Sequence, residues 1–231
     1  GLTHGPRAAY AVPMSSPRVR LVLASASPAR LHTLQRAGVE PIVVVSDVDE
    51  DLVVAEAMER FGVLSPDHYA LLLARAKAER VAFREHVGDI VLGCDSVLEL
   101  DGRVHGKPQD AAEAVERWRL MRGTSGVLHT GHWLVDVRAA DHGGTGGALG
   151  ATASTRVHFA DLSDGEIDAY VATGEPQRVA GAFTVDGWGG PFVRSIEGDH
   201  HNVVGVSLPL LRELLADLEV GWFDIVTPHR R

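Results

Sequence analysis

The sequence predicts an α/β fold built on a mixed, twisted sheet with flanking helices. Two observations lead to this fold class. Short apolar runs alternate with amphipathic helical stretches in the first half of the chain, which is typical of parallel strands joined by helices. The second half is richer in strand–turn–strand patterns, which form antiparallel hairpins. At 231 residues, the chain is long enough to bury a sizeable core.

We expect one α/β domain over residues 18–222. Residues 1–17 have neither the apolar core of a signal peptide nor helical periodicity, and we interpret them as a disordered N-terminal extension or a cloning remnant. Residues 223–231 are expected to form a C-terminal tail. The sequence shows no internal repeat and no long linker, which favours a single domain.

Composition narrows the classes of function. The formal net charge is −9, which argues against a surface for nucleic acid. Cys94 is the single cysteine, so an internal disulfide is excluded and a reducing compartment is indicated. No apolar run approaches the roughly 18 residues that a membrane span requires. We therefore expect a cytoplasmic protein with no nucleic-acid partner and no membrane contact.

The first strand and helix could form an anion site. Residues 21–23 are an apolar strand, and small residues lead to Ser27, a good N-cap, and Pro28, which suits the first helical position. Free backbone N–H groups at such a helix start can bind a phosphate. Arg30 lies in the first turn, where the helix dipole disfavours a cation. The alternative is an ordinary strand–turn–helix connection with a solvated arginine.

A second strand at residues 42–46 is expected to be central in the sheet, because it is apolar on both faces. It runs into the acidic stretch 47–51. A long helix is then expected to begin at Ser65, with Lys77 at the flank of its apolar face. Such a lysine either extends to water or serves a site, and spacing alone leaves both alternatives open.

The third strand, at residues 90–94, leads directly to Asp95 and Ser96. A carboxylate at the end of an apolar strand is costly to desolvate unless it is paired or binds a metal. Ligands of open α/β sheets also bind at strand ends. The next segment is expected to form a hairpin that turns at residues 101–102 and leads to Lys107.

The later elements follow from capping and turn patterns. Ser163 and Glu166 have the spacing of a capping box. The glycine-rich stretch 141–150 is expected to be a hairpin loop, because it lacks the helix that must follow a dinucleotide fingerprint. Helices are expected at residues 110–121, 163–174 and 207–218, and strands at 127–137 and 151–159.

Three polar clusters follow the predicted strand ends. Their carboxylates could bind a hard divalent cation through oxygen, and their cations could stabilise negative charge on phosphates. Together these groups suit metal-assisted phosphoryl chemistry, and the alternative is three unrelated solvated loops. The clusters are Ser25, Ser27 and Arg30; Asp47, Asp49 and Glu50; and Asp95, Ser96 and Lys107.

Taken in order, these segments resemble the motifs of the Maf family of nucleoside triphosphate pyrophosphatases. The resemblance covers the chain from Val19 to about Leu218, and several motifs in the right order are more specific than any one of them. The motifs are LASASPAR at 23–30, SDVDE at 46–50, ARAKA at 74–78, GCDSV at 93–97, HGKPQDAAEA at 105–114, TGEP at 173–176, AGAF at 180–183 and GDHHNVVGVSLPLL at 198–211.

The resemblance implies two lobes around a deep cleft, as in inosine triphosphatases. It implies hydrolysis of nucleoside triphosphates to the monophosphate and pyrophosphate with Mg²⁺ or Mn²⁺, in a house-cleaning role against non-standard nucleotides. It also favours a homodimer. The alternative function is a nucleotide-binding regulator of septum formation and cell division that acts through a partner.

The resemblance also implies roles for particular residues. Asp95 matches the family's proposed proton acceptor, with Lys107 and Arg30 beside it in catalysis. Glu50 and Asp95 would hold the metal. The substrate-binding set would be Ser25, Ser27, Lys77 and Ser96.

Some positions depart from the family's dTTP/UTP subgroup. Ala29 replaces an arginine, Ser96 replaces a threonine and Asp186 replaces a glutamine. These departures imply a broader or different base preference.

Zinc is an alternative metal, since His200 and His201 lie together in one of the motifs.

Overall fold

The computed structural model describes residues 16–84 and 88–228, so most of the predicted N-terminal extension and the end of the predicted tail lie outside the described residues. The strands are β1 (Leu21–Ala24), β2 (Ile42–Val43), β3 (Ile90–Leu100), β4 (Arg103–His105), β5 (Ser125–Asp136), β6 (Ala148–Phe159) and β7 (Val193–Glu197).

Helices flank this sheet, and short 3₁₀ turns fill the connections before β6 and β7. None of the helices in the described part of the chain has the length and apolar character to span a bilayer. The α-helices are α1 (Pro28–Arg36), α2 (Glu50–Phe61), α3 (Pro66–Ala82), α4 (Ala111–Met121), α5 (Asp164–Ala172), α6 (His200–Val204), α7 (Leu208–Asp217) and α8 (Trp222–Ile225).

The seven strands form one mixed sheet, as predicted, in the order β2-β1-β3-β5-β6-β7 with β4 also beside β3. β1 is parallel to β2 and β3, and the other pairs are antiparallel. On one side of β3, β1 ends opposite Gly93 and β4 begins its pairing at Leu98. Residues 94–97 therefore have no partner on that side among the described strands. We call this opening the β3 gap.

Two apolar clusters on the two halves of β3 divide the core. One joins Leu23 and Leu92 to α1 and α7, and the other joins Leu98 and Trp118 to α4 and α5. Alternate residues of β3 face α3, where Val91 packs in a third cluster. The cluster with Leu92 is the core of the first of the two predicted lobes, and the cluster with Leu98 is the core of the second. The β3 gap lies between them.

Gly93 brings α3 close to the sheet. A Cβ at this position would overlap with the backbone carbonyl of Ala74 and with Ala78. Because glycine lacks a Cβ, α3 can lie directly on β3. This contact places Lys77 at the β3 gap.

Local signals correctly predicted several helix starts and turns. Ser27 caps α1 by accepting from the backbone N–H of Arg30, at 3.4 Å. Ser163 and Glu166 form the predicted capping box of α5. The β3–β4 hairpin turns at Asp101 and Gly102, whose φ angles of 49° and 75° fit a tight hairpin turn.

The prediction of a central strand at residues 42–46 is wrong. β2 contains only two residues and lies at the edge of the sheet. Ile42 and Val44 pack toward the third cluster, whereas Val43 and Val45 are exposed. An apolar run does not reveal its place in a sheet, because that place depends on which other strands are available to pair with it.

The acidic stretch at residues 47–51 begins a helix, α2, that was not predicted. Asp49 caps it, since its carboxylate accepts from the backbone N–H of Leu52 at 3.1 Å. Glu50 and Asp51 occupy the first turn, where the helix dipole favours negative charge. The acidic stretch is therefore a helix start rather than a solvated loop.

Packed structure continues into the segment predicted as a C-terminal tail. Ile225, in α8, is buried in the first lobe. The backbone N–H of Thr227 donates to the carbonyl of Gly38 at 2.9 Å. The final turn of the described chain thus closes over the end of α1.

Candidate active site

Arg30 lies at the edge of the β3 gap and is held by three neutral acceptors. Its Nη1 donates to Ser25 Oγ at 2.9 Å and to the Cys94 carbonyl at 3.4 Å, and its Nη2 donates to Ser96 Oγ at 3.0 Å. Among the described residues, no carboxylate lies within ion-pairing distance of this guanidinium. Its positive charge is therefore oriented but not neutralised.

Lys77 joins two carboxylates on the other face of the sheet. Its Nζ lies 2.7 Å from Glu50 Oε1 and 2.9 Å from Asp95 Oδ1. The Lys77 and Asp95 side chains are 15% and 13% exposed, whereas that of Glu50 is 50% exposed. One end of the cluster is thus buried, and the other is open to solvent.

Burial sets the protonation chemistry of Asp95. It raises the pKa of the Asp95 carboxyl above its usual range, although the charges of Lys77 and Arg30 pull the pKa down. For Lys77, burial alone would lower the ammonium pKa, but the Asp95 charge and the hydrogen bonds to Asp95 and Glu50 raise it overall. Asp95 is therefore a stronger base than a solvated aspartate, next to a lysine that stays charged.

A cavity of about 470 Å³ opens beside these groups. Its walls combine the turn after β1, the loop before α2 and the ammonium end of Lys77. Both charge signs therefore face the same space, as a complex of a metal and a polyphosphate requires. The lining residues are Ala24, Ser25, Ala26, Val45, Ser46, Val48, Asp49, Glu50, Asp51 and Lys77.

The structure brings six of the eight predicted site residues into two sets of contacting side chains. Ser27 has a local role, because its hydroxyl caps α1 and its N–H donates to Ser25 Oγ at 3.2 Å. Lys107 lies on the exposed segment after β4 and makes no ion pair with the other described residues. Ser25, Arg30 and Ser96 form one of the two sets, which we call the Arg30 group, and Glu50, Lys77 and Asp95 form the other, which we call the Lys77 cluster.

Asp47 belongs to a different contact group. Its carboxylate pairs with Arg80, at 2.8 Å, and with Arg84, both near the end of α3. It therefore does not face the β3 gap, although it was grouped with Glu50 by its place in the sequence.

Two buried residues extend the Arg30 group and were not predicted. Thr130 Oγ1 lies 2.8 Å from Ser96 Oγ and 3.4 Å from the carbonyl of Asn202. Both residues are fully buried. A single threonine in a strand carries no sequence signal for such a contact, because its partner is 34 residues away.

In the part of the chain that the structure describes, two groups of residues could hold a metal ion. Glu50 and Asp95 offer carboxylate oxygens, which suit Mg²⁺ or Mn²⁺. Asp199, His200 and His201 also bring one ligand atom each within 4.8 Å of one another. In this second group, however, Asp199 already caps α6 through the N–H of His201 and accepts from Ser207 Oγ. The first group is the better match to phosphate chemistry.

The chain is similar to known proteins over most of its length. The model of the family described as Maf-like protein matches residues 20–218. A nucleoside triphosphate pyrophosphatase of Salinispora tropica is 57% identical over 206 residues, covering 87% of this chain and 85% of that protein. One of Leifsonia xyli subsp. xyli is 52% identical, covering 90% and 96%, and one of Streptomyces coelicolor is 53% identical, covering 92% and 97%.

A solved structure of a dITP/XTP pyrophosphatase from Mycobacterium abscessus aligns with 62% of this chain and 75% of its own. The sequence identity is 15% and the TM-score is 0.34. The relationship to known proteins therefore rests on the sequence matches.

Proposed function

This chain belongs to the Maf family, and from that premise we propose that the β3 gap and its cavity hydrolyse the α–β phosphoanhydride of nucleoside triphosphates. The products are a nucleoside monophosphate and pyrophosphate. The protein is thus a nucleoside triphosphate pyrophosphatase, a hydrolase that acts on acid anhydrides.

The observation that carries the proposal is the Lys77 cluster. Lys77 and the half-exposed Glu50 line a cavity that could admit a polyphosphate, and the same ammonium group holds the buried carboxylate of Asp95. Asp95 has the raised pKa that suits a base, and it lies where a carboxylate is otherwise costly. A protein that only bound nucleotide would have no need for such a base.

Asp95 is assigned to the attacking water. Its carboxylate orients the water and accepts a proton as the water oxygen attacks phosphorus. The bond between that phosphorus and the bridging oxygen then breaks, and its electron pair stays on the bridging oxygen, so that the monophosphate and pyrophosphate separate. The Lys77 ammonium stays protonated and holds the Asp95 side chain in position through the hydrogen bond of 2.9 Å.

Arg30 is assigned to the phosphates. It lies in the first turn of α1, where backbone N–H groups and the helix dipole favour an anion. Its charge has no carboxylate partner among the described residues, so a bound phosphate would complete its coordination. Ser25, Ser27 and Ser96 would contribute hydroxyl or backbone groups at the same place.

Lys107 is assigned to the opposite wall of the β3 gap. Its chain direction supports this role, since His105 pairs with Leu98 and the antiparallel register leads from there toward Ser96. Its ammonium group is exposed and could therefore approach a bound triphosphate from the second lobe. Pro108, which is buried, fixes the segment on its far side.

Glu50 and Asp95 are assigned to a divalent metal, Mg²⁺ or Mn²⁺. The fit is supported by the donor set, because each carboxylate gives one oxygen to Lys77 and keeps a second oxygen. Such a cation supplies charge neutralisation on the phosphates during the transfer. Lys77 would keep the two carboxylates facing the same space.

The biological setting stays a prediction. The house-cleaning role, the homodimer, the cytoplasmic location and the absence of a nucleic-acid partner each follow from composition or from the family resemblance.

Pyrophosphate release from a panel of canonical and modified nucleoside triphosphates tests the proposed function. The assay compares Mg²⁺, Mn²⁺ and chelator, with wild type and Asp95→Asn. We expect metal-dependent release of pyrophosphate and monophosphate, lost by at least about 100-fold in the variant. Orthophosphate as the product would mean that a different bond is cleaved. Nucleotide binding without turnover would favour the regulator of cell division.

A further inference from the structure

We propose that Thr130 is a positioning residue for Arg30, which it orients through the hydroxyl of Ser96. The inference rests on the proposed function, because it concerns how the arginine of that site is held. Thr130 touches neither Arg30 nor the cavity wall in the described contacts. Its effect on the reaction would therefore be indirect.

The hydrogen bonds from Arg30 to Asn202 form a chain with one direction. Arg30 can only donate, so its Nη2–H donates to Ser96 Oγ at 3.0 Å. At the other end, the backbone carbonyl of Asn202 can only accept, so the Thr130 hydroxyl donates to it at 3.4 Å. The Ser96 hydroxyl is left to donate to Thr130 Oγ1, at 2.8 Å. Each hydroxyl thus accepts once and donates once.

This direction makes the lone pair of Ser96 available to Arg30. If the Ser96 proton had no acceptor on the Thr130 side, the hydroxyl would rotate to find another one. The oxygen that now receives the guanidinium would then present a different face. Thr130 therefore fixes the orientation of the Ser96 hydroxyl, and that hydroxyl fixes the orientation of the Arg30 guanidinium.

Burial indicates that the Thr130 hydroxyl is kept for this contact rather than for packing. Thr130 has no exposed surface, and valine has nearly the same shape. A buried hydroxyl costs free energy unless it is hydrogen-bonded, so an apolar residue would be the cheaper choice for packing alone.

Asn202 anchors the far end of the chain to the sheet. Its Nδ2 donates to the carbonyls of Leu128 and Ala153, at 3.2 Å and 3.0 Å, and to Thr155 Oγ1 at 3.2 Å. These bonds tie α6 to β5 and β6. The carbonyl that terminates the chain is therefore on a fixed element, and the orientation of Arg30 is set against the sheet itself.

The end of α6 also contacts Arg30 directly. A Cβ at Gly205 would lie 3.2 Å from the Cγ of Arg30, so the backbone passes close to the arginine stem. The stem is packed by α6 at one end, and the guanidinium is held by Ser25, Ser96 and Cys94 at the other. Of these contacts, the bond to Ser96 depends on a hydroxyl that can rotate, and the buried Thr130 sets the direction of that hydroxyl.

A double-mutant cycle with Arg30 tests the inference. Thr130→Val should lower kcat/KM for the preferred nucleotide roughly tenfold, the loss expected for one buried hydrogen bond. Thr130→Ser keeps the hydroxyl and should stay within about threefold of wild type. In an Arg30→Ala background, Thr130→Val should cause no further loss, because there is no guanidinium left to orient.

Thr155→Val is the matched control. Thr155 is also fully buried and also binds Asn202, but it donates to the Asp199 carbonyl and does not contact Ser96. It should lower the melting temperature while leaving kcat/KM within about twofold of wild type, because Asn202 keeps its hydrogen bonds to the carbonyls of Leu128 and Ala153. If Thr130→Val does not fold, Thr130→Ala takes its place in the same cycle.

The outcomes separate the two proposals. A wild-type protein that releases no pyrophosphate overturns the proposed function and the inference with it. An active wild type overturns the inference alone if Thr130→Val keeps its activity, or if the loss is the same with and without Arg30. A loss of kcat/KM in Thr155→Val as large as that in Thr130→Val would also overturn it, because the effect would then come from general loosening of the core.

Discussion

At the residue scale, the cations Arg30 and Lys77 lie at the β3 gap in opposite electrostatic surroundings. Arg30 has neutral acceptors and no carboxylate partner among the described residues, while Lys77 is shared by two carboxylates. The first arrangement leaves positive charge for a substrate, and the second keeps a base in place. In the proposed mechanism the two cations therefore have different roles, Arg30 toward the phosphates and Lys77 toward the base.

His132 is a buried residue next to this site that should control stability toward acid. Its Nδ1 bonds to the Thr130 carbonyl at 2.9 Å, and its Nε2 accepts from the backbone N–H of Ser207 at 3.0 Å. The ring is therefore neutral. Burial lowers the pKa of His132 from 6.5 to about 4, against the opposing effect of the bond to Thr130.

The sign of the pH effect follows from this lowered pKa. Between pH 6.5 and 4 the unfolded chain binds a proton at His132 and the folded chain does not, so stability falls as the pH falls. We expect the melting temperature of wild type to drop from pH 7.5 to pH 5, and that of His132→Gln to drop less. His142→Gln is the control, because the His142 side chain is 80% exposed. Equal slopes in all three proteins would contradict the prediction.

At the scale of elements, the approach of α3 to β3 assembles the Lys77 cluster. α3 contributes Lys77, β3 contributes Asp95 and the start of α2 contributes Glu50. The separation between α3 and β3 is set at Gly93, where the helix backbone occupies the space of a side chain. Glu50 owes its place to the cap at Asp49, which begins α2 beside the cavity.

Gly93→Ala should therefore damage both stability and activity. The added methyl group would push α3 away from the sheet, at a cost of about 1–3 kcal/mol in the free energy of unfolding. It would also move Lys77 from Asp95, so kcat should fall further than stability alone explains. Urea unfolding and pyrophosphate release measure the two effects. Gly106→Ala is the control, since a Cβ there meets nothing within 4 Å.

At the scale of the whole molecule, the two lobes share their central strands. Leu92 and Leu134 of β3 and β5 belong to the core of the first lobe, and Leu98 and Leu128 of the same strands belong to that of the second. Polar residues, including Ser96 and Thr130, lie between the two cores. The site is thus built where the apolar packing is interrupted but the strands are continuous.

This continuity predicts that the lobes unfold together. Neither core can lose its strands without exposing the other, so calorimetry should show one transition with equal calorimetric and van't Hoff enthalpies. Two resolved transitions would mean that the lobes are independent. The same scan with Thr155→Val should shift the single transition without splitting it.

The sequence predicted the parts of the fold that depend on neighbours in the chain. Ser27 capping α1, the Ser163 capping box and the turn at Asp101 each involve residues within a few positions of one another. It missed α2, because an acidic stretch is compatible with either a solvated loop or a helix start. It also placed β2 wrongly, since an edge strand and a central strand can share the same apolar run.

By itself, therefore, the sequence determined the fold class, the family and the residue types of the candidate site, because these depend on local pattern and on the order of motifs. Only the tertiary structure decided which of those residues meet. Arg30 contacts Ser96 across 66 positions, and Lys77 contacts Asp95 across 18. Such contacts depend on strand register and on helix packing at Gly93, and no local preference encodes either of them.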